Sequence, residues 1–133
     1  MKKIFTTLSL LAASSMFASM PATAQTSCGV TANADIANKI AYGHSWSKHS
    51  AEYVAGKVIA GLAMPASPKV TTVAEFKSHV QTAMGSSTNK ALSNGRKAWW
   101  WSPTGTIVIF DPNNVDCGTA FRPTLGKSYY DQQ

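Results

Sequence analysis

Lys97-Ala98-Trp99-Trp100-Trp101-Ser102-Pro103-Thr104-Gly105-Thr106-Ile107-Val108-Ile109-Phe110 decides the fold class. Lys97 to Trp101 is rich in aromatic rings, and Thr106 to Phe110 is mostly β-branched. Both compositions suit a pleated, half-buried surface. Ser102-Pro103-Thr104-Gly105 between them is turn chemistry, because proline presets a turn torsion and glycine tolerates the conformations that close one. The stretch therefore predicts an antiparallel hairpin. On its first strand, Trp100 must point away from Trp99 and Trp101.

Downstream, Asp111-Pro112-Asn113-Asn114 reads as another turn, Gly118 to Arg122 as a third strand and Lys127 to Tyr130 as a fourth. Upstream the period changes. Thr31 or Asn33 is placed to cap a helix from Ala34 to Tyr42, with Ile36 and Ile40 on its apolar face and Gly43 at its end. A second helical stretch is expected from His44 or Ser45 to about Leu62, with Trp46, Tyr53, Val54, Val58 and Leu62 as a rough inward stripe that Gly56 weakens. Pro65 and Pro68 break the chain. Thr72-Val73-Ala74-Glu75 is a capping-box pattern opening a helix with Phe76, Val80 and Met84 on one face and Gly85 at its stop. Ser86 to Asn94 reads as a polar loop. Helices first and strands last predict an α+β domain, its N-terminal helices packed on one face of a small C-terminal antiparallel sheet.

Lys2 and Lys3, the apolar run Ile4 to Met20 and the small residues Ala22 and Ala24 form a secretory leader, with cleavage expected before Gln25. The chain then divides into a signal peptide, 1–24, and one domain, 25–133, within the usual range of about 100–150 residues. No later apolar run approaches the roughly 20 residues that span a bilayer, so a soluble exported monomer, periplasmic or secreted, is expected without stable membrane insertion. In that compartment Cys28 and Cys117, the only two cysteines, are expected to pair. The net charge of +6 includes the two leader lysines, and the remaining excess suits a polyanionic partner.

Gly43-His44-Ser45-Trp46-Ser47-Lys48-His49 supplies two imidazoles and an amine. His44 and Lys48, at i, i+4, share a helical face. His49 joins them only if the helix starts after His44. Imidazole titrates near neutrality and can take and return a proton, so His44 and His49 are acid/base candidates; the alternative is two ordinary surface or core histidines. His-x4-His lacks the spacing of a helical zinc site, and no metal or other cofactor is expected. His79, on an amphipathic helix, reads as a structural or exposed residue. Arg96, beside Gly95, and Arg122, in Gly118-Thr119-Ala120-Phe121-Arg122-Pro123, are the only arginines, and guanidinium matches phosphate oxygens with paired donors. Thr119 and Arg122 fall on opposite strand faces and meet one ligand only if the strand bends. Trp100 is a candidate base-stacking ring, or a core ring on a sheet covered on both faces, and Lys97 is a neighbouring cation.

These elements, Gly43 to His49, Gly95 to Trp100, Thr106 to Ile109 with Asp111-Pro112, and Gly118 to Pro123, together resemble the C-terminal toxin domains of contact-dependent growth-inhibition, filamentous-haemagglutinin-like exoproteins. The particular likeness is to their RNase toxins of the barnase/EndoU/colicin/RelE-like group, and it covers about Ala41 to Tyr130. The resemblance implies a small α+β, metal-independent endoribonuclease acting on RNA, with tRNA as the expected substrate and an acidic immunity protein as a possible partner. It implies His44 and His49 as acid and base. Lys48, Arg96 and Arg122 become phosphate contacts, Thr119 a hydroxyl orienting the scissile phosphate, and Tyr130 a substrate contact. The family toxins form the tail of very large exported proteins, whereas this domain directly follows a leader. A non-catalytic basic binding module and an inactive toxin remnant are the competing expectations.

Overall fold

The structure is a computed structural model that describes residues 26–133. The leader expected over 1–24 lies outside the described residues. The architecture is α+β, as the order of patterns requires. Helix α1 (Asn33–Ile40) runs into one wider, π-type turn (Ala41–Ser45), the short α2 (Trp46–His49) and a 3-10 turn (Ser50–Tyr53). A small hairpin follows, β1 (Val58–Ile59) and β2 (Leu62–Ala63), and then α3 (Val73–Ser86). The main sheet contains β3 (Asn89–Ala91), β4 (Lys97–Trp101), β5 (Thr106–Phe110) and β6 (Gly118–Phe121), antiparallel in the order β3-β4-β5-β6. A short α4 (Lys127–Asp131) ends the fold.

The β4–β5 hairpin forms as expected, with Trp99 opposite Val108 and Trp101 opposite Thr106. Trp99, Val108 and Ala120 turn toward the helices and pack with Ile36, Ile40, Phe76, Val80 and Met84. Trp100 opposes its neighbours and joins Ala98, Ile107, Ile109 and Phe121 on the far face. α3 opens at Thr72, whose side-chain oxygen accepts the Glu75 N–H at 3.2 Å. The Glu75 carboxylate reaches back to the Thr71 N–H and hydroxyl, at 3.2 and 2.7 Å, and these bonds hold its pKa below the ordinary value, the Thr71 hydroxyl foremost.

Four local expectations are corrected. The first helix has Ala32 at its N-cap with no side-chain cap, so neither Thr31 nor Asn33 serves. The second helical stretch stops at Tyr53, and the chain turns at Gly56 and Gly61, both at positive φ, to make β1–β2 instead of continuing to Leu62. The polar stretch 86–94 contains the edge strand β3. Lys127 to Tyr130 is helical, not a fourth strand: Lys127 Nζ meets Asp131 Oδ1 at 2.7 Å across one helical turn, and the Lys90 ammonium donates to the carbonyls of Tyr130 and Asp131, both at 3.2 Å, at the helix C-terminus. α4 therefore covers part of the sheet face opposite the other helices, setting Tyr129 against Phe121 and Tyr130 against Trp100.

Cys28 and Cys117 are disulfide-bonded and buried, 1% and 0% exposed. The bridge joins the chain entry to the β5–β6 connection, where the Cys28 N–H also donates to Pro112 O at 3.1 Å. Among the described residues no helix is long and apolar enough to cross a membrane.

Candidate functional site

β6 is an edge strand, so alternate N–H groups point away from the sheet and need acceptors. The segment from Gly43 to Glu52 lies along that edge and supplies them. Ser45 Oγ accepts the Ala120 N–H at 3.2 Å, and Glu52 Oε1 accepts the Arg122 N–H at 2.7 Å. The histidine-bearing segment is thereby laid along the Gly118-to-Arg122 strand.

Gly43 makes the close approach feasible. It sits at a kink between the helices, and a Cβ there would fall 2.7 Å from Asp116 Cγ. At the other side of the loop Gly118, φ +122°, leaves no room for a side chain, since a Cβ would fall 1.9 Å from Ile109 O. These two glycines let the 111–118 connection fold back on itself and carry Asp116 to the helical segment.

Two imidazole–carboxylate pairs result. His44 Nδ1 lies 2.8 Å from Asp116 Oδ2, and His49 Nδ1 lies 2.5 Å from Glu52 Oε2. A carboxylate only accepts, so each Nδ1 carries a proton, and in a neutral ring the lone pair then falls on Nε2, the arrangement a general base needs. The side chains are 45% exposed for His44 and 15% for His49, so the first is open to solvent and the second sheltered. His49 stacks on Phe121, centroids 5.1 Å apart and planes 20° apart, and Phe121 meets the edge of Tyr129. Between the two pairs Ser45 Oγ contacts Thr119 Oγ1 at 3.0 Å. Thr119 is half-buried and Lys48 exposed. Only Gly43 departs from helical torsions in the wider turn, so His44 belongs to the helical run that carries His49 and the two rings do not share a face. Both border β6, His44 at its Asp116 end and His49 beside Phe121, with Ser45 and Thr119 in contact between them. The carboxylates of Asp116 and Glu52 were missed from sequence. Glu52, three residues after His49, carried a detectable helical signal; Asp116, 72 residues from its partner, carried none.

Arg122 is placed differently from its expected role as a phosphate contact. The strand keeps its alternation, so Arg122 points to the side opposite Thr119, and it is 2% exposed. Nε donates to Thr104 O at 2.7 Å, Nη1 to Glu52 O at 2.6 Å and Lys57 O at 3.1 Å, and Nη2 to Leu62 O at 2.9 Å. Four of its five N–H donors tie the 52–62 segment to the β4–β5 turn. Burial lowers its pKa. No face of this guanidinium is left open for a phosphate.

Arg96 does not join the site. It bonds back to Ser93 O and Ser93 Oγ, both at 3.3 Å, in a shallow depression with Asn94, Asp111 and Asn113. It precedes β4, and β5 intervenes, so it lies two strand spacings, about 10 Å, from β6. Lys97 pairs with Phe110 and lines a depression with Trp99 on the helix-facing side, away from Thr119. Trp100 and Tyr130 lie on the far face with ring centroids 6.3 Å apart, and Lys90 and Lys127 stand over the Tyr130 ring at 5.1 and 5.7 Å.

Of the two readings of His79, structural or exposed, the fold selects the structural one. Its Nε2 meets Thr106 Oγ1 at 3.0 Å and Thr104 Oγ1 at 3.3 Å, and Tyr53 packs on it edge-on. Burial first, and the Arg122 charge second, push its pKa down to about 4, so it is neutral at pH 7. Burial likewise pushes the Tyr53 phenol up. Among the described residues no group of three or more histidine, cysteine or carboxylate side chains is gathered as a metal site.

No protein-family model, curated protein or solved structure matches this chain.

Proposed function

We propose that this protein is an exported, metal-independent endoribonuclease of the bacterial toxin type, related to the RNase domains of contact-dependent inhibition exoproteins. The observation that carries the reading is the pairing of two imidazoles with carboxylates beside one strand hydroxyl: His44 with Asp116 at 2.8 Å and His49 with Glu52 at 2.5 Å, with Thr119 on the same edge. The α+β architecture agrees with it.

In this mechanism His49 Nε2 removes the proton from a ribose 2′-hydroxyl. Glu52 steadies the positive charge that arrives on the ring. The 2′-oxygen attacks the adjacent phosphorus, and the bond to the 5′-oxygen breaks. His44, in its protonated form, gives that oxygen a proton, leaving a 2′,3′-cyclic phosphate and a 5′-hydroxyl end. Thr119 and Lys48 hold the non-bridging phosphoryl oxygens as charge builds. Phe121, Tyr129 and Trp100 offer half-buried rings for flanking bases. Arg122 has no contact with substrate in this scheme and acts by holding the fold under β6.

The test is cleavage of labelled tRNA and of an unstructured RNA in EDTA by the wild type, His49→Ala and Thr119→Val. A loss of about 100-fold or more in His49→Ala, with a cyclic phosphate product from the wild type, is expected. A metal requirement, or equal rates in all three, overturns the reading. Salt-sensitive RNA binding without product leaves the non-catalytic binding module.

A further inference from the structure

We propose that the Cys28–Cys117 disulfide positions His44 through Asp116, so that this half of the site is assembled under oxidising conditions and released on reduction. The inference rests on the nuclease reading for its consequence but not for its geometry. Asp116 immediately precedes Cys117 in the chain, and its carboxylate is the partner of His44 Nδ1 at 2.8 Å. The bridge fastens the residue after Asp116 to a second, distant part of the chain, 89 residues away.

The backbone there has reason to move once released. Cys117 has φ +62°, a left-handed conformation that a residue with a Cβ adopts only when its surroundings impose it. Besides the bridge, Cys117 is tied by the Asp111 N–H to Cys117 O bond, 2.9 Å, which continues the β5–β6 ladder, and Asp116 by its packing on Gly43. Cys117 N–H to Asn114 O at 3.0 Å and Asp116 N–H to Asn114 Oδ1 at 2.8 Å are internal to the Asp111–Cys117 connection. The Cys28 N–H bond to Pro112 O and the Asn113 amide bond to Asn94 O, 3.0 Å, reach outside it but hold its first half. His49 depends on none of this, because its partner Glu52 sits on its own segment and is anchored by the Arg122 N–H. The two imidazoles therefore differ in what holds them, one by a redox bond and one by hydrogen bonds.

The chemistry balances with a dithiol as reductant. One thiolate attacks a bridge sulfur and displaces the other cysteine as thiolate. The second thiol of the reductant, as thiolate, then closes on the mixed disulfide. Two protein thiols form and the reductant leaves as its cyclic disulfide. Because both sulfurs are buried, this attack passes through an opening of the loop.

The experiment is long-range proton–nitrogen NMR of the histidine rings, which reads the tautomer of each, on the full chain before and after dithiothreitol. His44 is expected to change from the Nδ1-protonated tautomer, fixed by Asp116, to the mixture of a free imidazole, while His49 keeps its tautomer and the far-UV circular dichroism is unchanged. Asp116→Ala in the oxidised protein removes the acceptor and is expected to alter His44 in the same way, and reduction is then expected to add nothing. An unaltered His44 on reduction overturns the proposal, as does an unaltered His44 in Asp116→Ala. Collapse of both rings together with the secondary structure also overturns it, since the bridge would then be holding the whole fold. These readings need no RNA, so they fail independently of the nuclease reading. If that reading holds, reduction lowers the cleavage rate by up to about 100-fold, the scale for misplacing a catalytic group.

Discussion

His49 and Glu52 are joined at 2.5 Å, and the other oxygen of the same carboxylate accepts the Arg122 N–H at 2.7 Å. Glu52 therefore has two duties: it orients an imidazole and it covers the open edge of β6. Glu52→Gln separates them. The amide oxygen can still accept from the Arg122 N–H, but a neutral group does not balance an imidazolium. The expected outcome is a fall in kcat of about 10-fold or more with KM nearly unchanged, and a melting temperature close to wild type. Steady-state cleavage kinetics beside a thermal melt check it. Equal losses in kcat and in stability would show that Glu52 serves only the edge.

Arg122 is expected to behave as a stability residue. Replacing it by methionine keeps much of the buried volume but leaves the carbonyls of Glu52, Lys57, Leu62 and Thr104 without this donor. The cost is about 3 kcal/mol or more, since each buried carbonyl left without a donor costs about 1–3 kcal/mol. Arg122→Lys should fall between, because one ammonium cannot span carbonyls arranged around a planar fork. Urea unfolding measures both. A methionine variant as stable as wild type but unable to cleave RNA would return Arg122 to the substrate.

Local chemistry was legible in this sequence, and long-range pairing was not. The β4–β5 hairpin, the Thr72 capping box and the opposed direction of Trp100 follow from alternation and turn residues within a few positions of one another. The disulfide followed from the expectation of export and from there being only two cysteines. The interior position of Arg122 depends on carbonyls at 52, 57, 62 and 104, which no local pattern connects. The end of the second helix at Tyr53 was hinted at only by Gly56. The α4 helix did leave a sign, the Lys127–Asp131 spacing, but the β-rich composition of Tyr129 and Tyr130 outweighed it. The histidines stood out as candidates by their chemistry; the carboxylates that pair with them needed the fold.

His79 gives the protein an acid-sensitive term. Its folded pKa, about 4, lies below the ordinary 6.5. The unfolded chain therefore binds a proton first as pH falls. The stabilisation is full above pH 6.5 and is lost progressively down to about pH 4, beyond which no more is lost from this group. Over that window the loss is about 3 kcal/mol. Glu75, with its lowered pKa, adds a decline of the same sign near and below the ordinary carboxylate range. Comparison with His79→Gln isolates the imidazole: wild-type stability from urea titrations should fall more steeply than the variant's between pH 6.5 and 4.5. Parallel slopes would mean that His79 accepts a proton without leaving its threonine partners.

Ser45 offers the sharpest separation of edge protection from chemistry. It is fully buried, and its oxygen both accepts the Ala120 N–H at 3.2 Å and meets Thr119 Oγ1 at 3.0 Å. Ser45→Ala leaves a buried N–H unpaired on β6, a penalty of about 1–3 kcal/mol. The damage should be local, because Glu52 still holds the next outward N–H at Arg122. Amide hydrogen exchange is therefore expected to quicken at Ala120 while Arg122 keeps its protection. Thr119 loses the hydroxyl that fixes its rotamer, so cleavage should slow even where urea unfolding shows the variant fully folded. Unchanged exchange at Ala120 would mean that another group covers this edge, and the histidine segment would then be free to leave β6 without cost.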